Sequence, residues 1–93
     1  MYQRKTTIIN RTGIHARPAS VFVNEAKKFQ SNLTICNLSL NEQNNTANAK
    51  SIIKVLTLAL SQGSEVEVSA EGVDEKEAVD VLIELIDSGF GET

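Results

Sequence analysis

Residues 13–20, Gly-Ile-His-Ala-Arg-Pro-Ala-Ser, place the chain's single histidine, His15, two residues before Arg17. The imidazole of a histidine is available in its neutral form near pH 7, with a nitrogen lone pair that can attack phosphorus. Arg17 adds a permanent positive charge on a planar group whose donors match phosphate oxygens. The pair predicts a site that carries a phosphoryl group, and the resulting phosphoramidate is labile enough to be passed on.

A helix predicted to begin beside His15 strengthens this interpretation. With His15 as N-cap, the unpaired backbone N–H groups of Ala16 and Arg17 point near the imidazole, where a helix N-terminus attracts anions. Pro18 is tolerated in a first turn, and Gly13 gives the preceding loop freedom to bend. A lone histidine at a helix start is more often a cap or a surface residue, so the hypothesis depends on the complete segment. One histidine without a cluster of cysteines or carboxylates predicts no metal site.

The periodicity of apolar residues predicts the elements that position this segment. Apolar side chains recur every three to four residues in three stretches, and alternation or β-branched residues mark the strands. The first half is predicted to contain a strand at 6–10, a helix from about 16 to 29, a strand pattern at 33–40 and a polar loop at 41–46. The second half is predicted to contain a helix between the N-cap Ser51 and Gly63, a strand at 64–71, and a helix between the N-cap Asp74 and Gly89. The alternation slips within 33–40, which a bulge or a hairpin turn would explain.

The order strand, helix, two strands, helix, strand, helix predicts an α+β fold with helices on one face of a mainly antiparallel sheet. Ninety-three residues are expected to form one domain spanning 1–93. Val66, Val68 and Ala70 are predicted to face the core of the sheet. Asp74 with Glu77 suggests an acidic capping box. The buried stripe of the last helix is predicted to be Val79, Leu82, Ile83 and Ile86.

Composition and charge narrow the class of protein. The formal net charge of −3 argues against a general nucleic-acid binder, which would normally show a basic face. No apolar run approaches the length of a membrane span, and the first residues do not form a signal peptide. The single cysteine, Cys36, excludes an internal disulfide and is typical of a reducing compartment, where it would pack as a small strand residue. The composition predicts a cytoplasmic domain. A monomer is expected as well, since a carrier of phosphoryl groups must present the same face to several partners in turn.

The segment 13–20 and the element order resemble HPr, the histidine-containing phosphocarrier family of the bacterial phosphoenolpyruvate-dependent phosphotransferase system. Residues 48–53, Asn-Ala-Lys-Ser-Ile-Ile, are similar to the family's regulatory-serine segment. Residues 61–63, followed by the alternating strand and by 71–75, give a third match. The resemblance covers essentially the whole chain. The region 36–47 is several residues longer than the family usually has, so we expect a longer hairpin loop there.

The resemblance implies a fold and a role. The fold is an open-faced β-sandwich, a four-stranded antiparallel sheet covered on one face by three helices. His15 would accept a phosphoryl group on Nδ1 from phosphorylated enzyme I and pass it to IIA domains of sugar permeases, with Arg17 stabilising the phosphate. Such a protein needs no cofactor and is a carrier, not an autonomous enzyme. It binds no nucleic acid and does not insert into a membrane.

The resemblance also implies a second site at Ser51. In Gram-positive members, HPr kinase/phosphorylase modifies the corresponding serine, and the modified form binds a catabolite-control regulator. Lys54 and Thr57 resemble enteric members, in which that kinase is usually absent. Ile52, Val55 and Ala59 can face the core, whereas Ile53 and Leu56 fall on another face; core packing of all of them is the alternative. The predicted partner-binding residues are Thr12, Ser20, Ile52, Ile53, Lys54 and Leu56.

Three other functions compete with the sugar-branch carrier. The tail 87–91, Asp-Ser-Gly-Phe-Gly, is similar to that of the nitrogen-branch paralogue, which would use the same His15 chemistry in a regulatory role. A pure interaction module would leave His15 unused and switch only at Ser51, and the intact histidine argues against it. A hydrolase with His15 as general base would need a nucleophile and an orienting carboxylate, and no motif supplies them.

Overall fold

The computed structural model describes residues 1–40 and 45–92. Its elements are β1 (Tyr2–Thr7), α1 (Ala16–Ala26), β2 (Asn32–Asn37), β3 (Thr46–Asn48), α2 (Ile52–Leu56), β4 (Glu65–Glu71) and α3 (Glu75–Asp87), followed by a 3-10 turn (Gly89–Gly91). The four strands form one sheet in the order β1-β4-β2-β3, and each neighbouring pair is antiparallel. The three helices pack on one face of this sheet around a shared core. The predicted α+β open-faced sandwich is confirmed.

The core lies between the sheet and the helices and includes most of the residues that the periodicity selected. In β4, Val66, Val68 and Ala70 are buried, while the ends of the strand, Glu65 and Glu71, are exposed. The four predicted stripe residues of α3 are also buried. From the other helices the core takes Ala19, Phe22, Val23, Ala26 and Val55. Burial of this apolar surface is the main force that holds the helices on the sheet.

The slipped alternation at 33–40 proves to be a hairpin turn rather than a bulge. Leu33, Ile35 and Asn37 all face the core, and β2 ends at Asn37. The Asn37 side chain donates to the Leu58 carbonyl at 2.9 Å and accepts from the Ser39 backbone at 3.0 Å, so it satisfies a buried polar position while the chain turns. Most of the predicted polar loop, residues 41–44, lies outside the described residues, and Thr46 belongs to β3 instead.

The predicted bounds of three further elements are wrong. The first strand begins at Tyr2 and ends at Thr7, because its polar side chains are stabilised by α3. Ile8 follows the strand yet remains paired, donating to the Ser64 carbonyl at 2.9 Å. The first helix ends at Ala26, before the predicted 29. The second helix ends at Leu56, well before Gly63, because Ala59 adopts a left-handed φ of 51° that no helix can continue through.

The predicted capping box at the start of α3 is also wrong. Asp74 occupies the N-cap position but makes no side-chain cap. Its carboxylate instead accepts hydrogen bonds from the backbone of Gln30 at 2.9 Å, from the backbone of Ser31 at 3.0 Å, and from the Ser31 hydroxyl. These bonds, that of the hydroxyl first, lower the pKa of Asp74. Asp74 therefore ties the α1–β2 connection to the start of α3.

A surface cluster around Asp80 joins β1 to α3. Its carboxylate accepts from Lys76 at 2.8 Å, from the Tyr2 hydroxyl at 2.9 Å and from Arg4 at 3.0 Å. These partners, Lys76 foremost, lower the pKa of Asp80 from 3.8 to about 2. Because the folded protein holds this carboxylate ionised, Asp80 contributes stability above pH 4 that is lost as the pH falls toward 2.

We expect Asp80→Asn to flatten the acid side of the stability profile. The wild-type midpoint of thermal unfolding should fall between about pH 4 and about pH 2 more steeply than that of the variant. Some slope will remain, since the pKa values of Asp74, Glu75 and Glu92 are also lowered. Calorimetry across this range measures the effect, with the exposed Glu77→Gln as a matched loss of charge on the same helix. Equal slopes in wild type and Asp80→Asn would contradict the assignment.

Candidate functional site

The loop before α1 is held against the segment that follows α2. The Gly13 backbone N–H donates to the Asn10 carbonyl at 3.1 Å and closes a turn, and the next residue, Ile14, donates to the Leu60 carbonyl at 3.0 Å. Gly13 has a φ of +66°, and a Cβ on it would lie 2.3 Å from the Leu60 oxygen. Only glycine fits this backbone approach, a constraint additional to the freedom to bend expected from the sequence. Ile14 is buried and anchors the loop, so the backbone position of the next residue, His15, is fixed as well.

His15 is the N-cap of α1, as predicted, and its backbone is extended there, with φ −131° and ψ 162°. The side chain is exposed and makes no capping hydrogen bond, so the imidazole is available for contacts outside the helix. Ala16, the first helical residue, has a left-handed φ of 48°, a conformation that costs an alanine about 1 kcal/mol. The first N–H groups of a helix have no intrahelical acceptor, so an anion held beside His15 would meet them and the positive end of the helix. Contact of a phosphate with the backbone of Ala16 and Arg17 stays a prediction.

Arg17 lies in the first turn of α1 and reaches toward the C-terminal end of the chain. Its Nη1 donates to the Phe90 carbonyl at 3.4 Å, while the rest of the residue is exposed. Phe90 is buried and has a left-handed φ of 56°, and the glycines on both sides, Gly89 and Gly91, also have positive φ. The guanidinium therefore lies between the start of α1 and the residues that follow α3.

Glu92 brings a carboxylate to the same loop. Its Oε1 accepts from the Thr12 hydroxyl at 2.7 Å and from the Asn10 side-chain amide at 3.2 Å. The same amide donates to the Gly13 carbonyl at 2.8 Å, so the buried side chain of Asn10 stabilises the turn. The hydroxyl of Thr12 first, then Asn10 and the charge of Arg17, lower the pKa of Glu92. Thr12 was predicted to bind partners, and its hydroxyl is hydrogen-bonded here to a carboxylate of the same chain.

The contacts of Asn10, Phe90 and Glu92 were not predicted from the sequence. Two signals were available: an asparagine directly before a turn, and a large aromatic residue between two glycines. Neither signal identifies the partner, because the Thr12–Glu92 bond joins residues 80 positions apart.

The second predicted site lies at the start of α2, which contacts α1 and β3. Ser51 is the N-cap, and its hydroxyl accepts from the Lys54 backbone at 3.4 Å, as expected. Ile53 is 72% exposed, Ile52 39% and Leu56 40%, whereas Val55 is fully buried. The expectation that Ile52 can face the core is therefore wrong, and so is that for Ala59, which is exposed. The alternative that all these residues pack in the core is wrong as well.

The helix is short and buries only Val55, and the chain that follows it buries Leu58 and Leu60 instead. What remains is an exposed apolar cluster of Ile52, Ile53 and Leu56, a surface of the kind that partners contact. Lys54 is exposed beside it, and Ser20 is exposed on α1.

Within residues 1–40 and 45–92, no group of three or more histidine, cysteine, aspartate or glutamate side chains could hold a metal ion. Over the same residues, no helix has the length and apolar character needed to cross a membrane.

The chain matches proteins of one family over nearly its whole length. A family model described as the phosphorylation site of the HPr component of the phosphotransferase system matches residues 2–88. Phosphocarrier protein HPr of Haemophilus influenzae is 44% identical over 92% of this chain and 95% of its own length. Phosphocarrier protein NPr of Proteus mirabilis is 43% identical over 96% of this chain and 94% of its own.

A solved structure agrees with these sequence matches. That of HPr-C-His from Thermoanaerobacter tengcongensis superposes with a TM-score of 0.89 at 45% identity and covers 100% of this chain and 99% of that one. Fold, exposed histidine and sequence together define a small carrier of phosphoryl groups rather than an enzyme. The chain belongs to the HPr family of phosphocarrier proteins of the phosphotransferase system.

Proposed function

We propose that His15 is the phosphoryl acceptor of this carrier, that phosphorylated enzyme I is the donor, and that IIA domains of sugar permeases are the acceptors in turn. The observation that carries the proposal is the state of His15: an exposed imidazole at the N-terminus of an 11-residue helix that does not use it as a cap. Arg17 is two residues away and supplies the positive charge that phosphoryl transfer needs. One domain spanning residues 1–93 would offer this face to each partner as a cytoplasmic monomer.

The transfer needs no reacting group beyond the phosphorylated donor and the imidazole of His15. The lone pair of Nδ1 attacks phosphorus, the new N–P bond forms, and the bond from phosphorus to the donor breaks, leaving its electron pair on the donor. The proton of the imidazole stays on the other ring nitrogen throughout. Arg17 and the unpaired N–H groups of Ala16 and Arg17 offset the charge on the phosphoryl oxygens. Passing the group to a IIA domain is the same step in reverse.

We also propose Ser51 as a regulatory site, modified by HPr kinase/phosphorylase where the host has that enzyme and then read by a catabolite-control regulator. Ser51 is half-buried and stands next to the exposed Ile52 and Ile53. A phosphate there adds about 1.5 to 2 negative charges beside this apolar cluster. The main consequence would fall on partner binding, because an apolar surface that acquires a dianion repels acidic partners.

The nitrogen branch is the second candidate. The two relatives named HPr and NPr are 44% and 43% identical to this chain, so overall similarity favours neither. The tail that resembles that branch supports this candidate through its position: Phe90 is buried, and its carbonyl accepts from Arg17. The acceptor, and not the histidine chemistry, separates the two roles.

Intact-mass spectrometry of the wild-type protein with enzyme I and phosphoenolpyruvate tests the proposal. We expect one added phosphoryl group that mild acid removes, as phosphohistidine requires. The phosphorylated protein is then mixed with IIA proteins of the sugar branch and of the nitrogen branch, and the branch that discharges it faster identifies the role. No mass increase with an active, matched enzyme I would refute the carrier proposal and favour a module switched at Ser51.

A further inference from the structure

The open face of the sheet, the side away from the helices, carries a polar pocket over β2 and β3. Its volume is about 350 Å³, within the range of pockets that hold small ligands. The lining residues with polar side chains are Asn32, Thr34, Thr46, Asn48 and Lys50. Leu33 and Ala47 are buried in the core, so the alternation of the strands places Thr34 and Asn48 on the opposite, open face. We call this site the open-face pocket.

A row of uncharged polar side chains crosses the sheet through the open-face pocket. Asn48 of β3 is paired with Thr34 of β2, which is paired with Ser69 of β4. The Ser69 hydroxyl donates to the side chain of its own partner, Gln3 of β1, at 3.4 Å. A second depression, of about 140 Å³, is lined by Thr34 and Ser69 and continues the pocket along this row. Amide and hydroxyl groups both donate and accept hydrogen bonds, as the hydroxyl groups of a sugar do, so the row suits a ligand with several hydroxyl groups.

Lys50 adds a positive charge whose position is fixed. Its Nζ donates to the Phe29 carbonyl at 2.7 Å, and its backbone N–H donates to the side-chain oxygen of Asn48 at 2.9 Å. The bond to Phe29 takes one of the three N–H donors of the ammonium group, and the other two can meet a ligand. No ion pair among residues 1–40 and 45–92 involves Lys50. A compact ammonium group binds phosphate as a point charge, whereas a carboxylate is matched better by the planar fork of an arginine.

We infer that the open-face pocket binds a phosphorylated monosaccharide, with its phosphate at Lys50 and its hydroxyl groups on Thr34, Asn48 and Ser69. Charge complementarity selects the phosphate, and the uncharged row selects the hydroxyl groups. Binding is reversible, and no bond of the ligand is made or broken. The site is separate from the phosphoryl chemistry proposed for His15, which does not line the pocket.

Titration of the wild-type protein with glucose 6-phosphate, followed by backbone amide NMR, tests this inference. We expect saturable shifts at the amides of residues 32–34 and 46–50. Glucose and inorganic phosphate each carry only one half of the recognised chemistry. Each should bind at these amides about fivefold more weakly or less, because each lacks at least one hydrogen-bonded or charged contact.

Two substitutions test the two halves of the pocket. Thr34→Val removes the hydroxyl and keeps a similar shape, and Lys50→Gln removes the charge but keeps a donor for Phe29. Each should weaken the binding of glucose 6-phosphate about two- to tenfold. Thr7→Val and Lys5→Gln make the same changes on β1, outside the pocket, and should bind glucose 6-phosphate as the wild type does.

The same titrations can overturn the inference. Shifts confined to the amides of residues 14–17 would place the phosphate at the start of α1 instead of at Lys50. Equal affinities for glucose 6-phosphate and inorganic phosphate would leave an anion site that does not recognise sugar, and equal affinities for glucose 6-phosphate and glucose would remove the role of Lys50. The inference also fails if residues 32–34 and 46–50 show no shifts at tens of millimolar glucose 6-phosphate, or if the control variants lose as much affinity as Thr34→Val and Lys50→Gln.

Discussion

His15→Ala is expected to abolish the acid-labile mass increase that enzyme I and phosphoenolpyruvate produce in the wild-type protein. A methyl group has no lone pair to attack phosphorus, so the loss should be complete rather than partial. The fold should survive, because His15 is exposed and makes no capping hydrogen bond. A substitution at such a position changes the free energy of unfolding by no more than about 0.5 kcal/mol. Intact mass and urea unfolding, measured on one preparation, separate the two effects.

Ser51→Ala is the control for this prediction. It removes the other proposed modification site and the α2 N-cap, at a cost of about 1 kcal/mol, but it should leave the acid-labile group in place. An acid-labile phosphoryl group that persists in His15→Ala would show that another side chain is the acceptor. Loss of the group in Ser51→Ala as well would indicate that the surface around α2 also takes part in the reaction with enzyme I.

Those parts of the fold that depend on local periodicity could be predicted from the sequence. The alternation of Val66, Val68 and Ala70 and the stripe of α3 each result from burial of one face, and a face repeats within a few residues. The histidine segment could be predicted for a similar reason. Its cap, its arginine and its glycine are neighbours along the chain, and the helix start brings them together without help from distant residues.

What the sequence could not show depends on contacts between distant residues. The first strand starts at Tyr2 because Tyr2 and Arg4 bond to Asp80, 78 and 76 positions away. The sequence suggested that Asp74 caps a helix, but its carboxylate accepts hydrogen bonds from the backbone N–H groups of Gln30 and Ser31 instead. Each local pattern allowed two partners, and the tertiary structure selected the remote one. The Thr12–Glu92 contact belongs to the same class.

Gly13→Ala is expected to be strongly destabilising, because it acts on the backbone contact that places His15. The new Cβ would lie 2.3 Å from the Leu60 oxygen and 2.8 Å from the Ser61 Cα, both backbone atoms that cannot rotate away. The φ of +66° adds strain to any residue with a side chain. Overpacking together with this strain predicts a loss of about 2–4 kcal/mol in the free energy of unfolding, measured by urea denaturation. The rate of phosphorylation of the folded fraction should also fall, since the clash is two residues from His15.

Gly63→Ala separates the two causes. Gly63 has a φ of +92°, so an alanine there is strained too, yet apart from its chain neighbours no heavy atom of the described residues lies within 4 Å of the added Cβ. This variant should lose only about 1–2 kcal/mol and should accept the phosphoryl group at the wild-type rate. If both variants lose the same stability, conformational strain alone accounts for the cost at Gly13, and the loop is not held against Leu60. A larger loss in Gly13→Ala, with slower phosphorylation, means that the segment after α2 supports the loop that carries His15. The phosphoryl site then depends on Leu60, which lies 47 positions after Gly13.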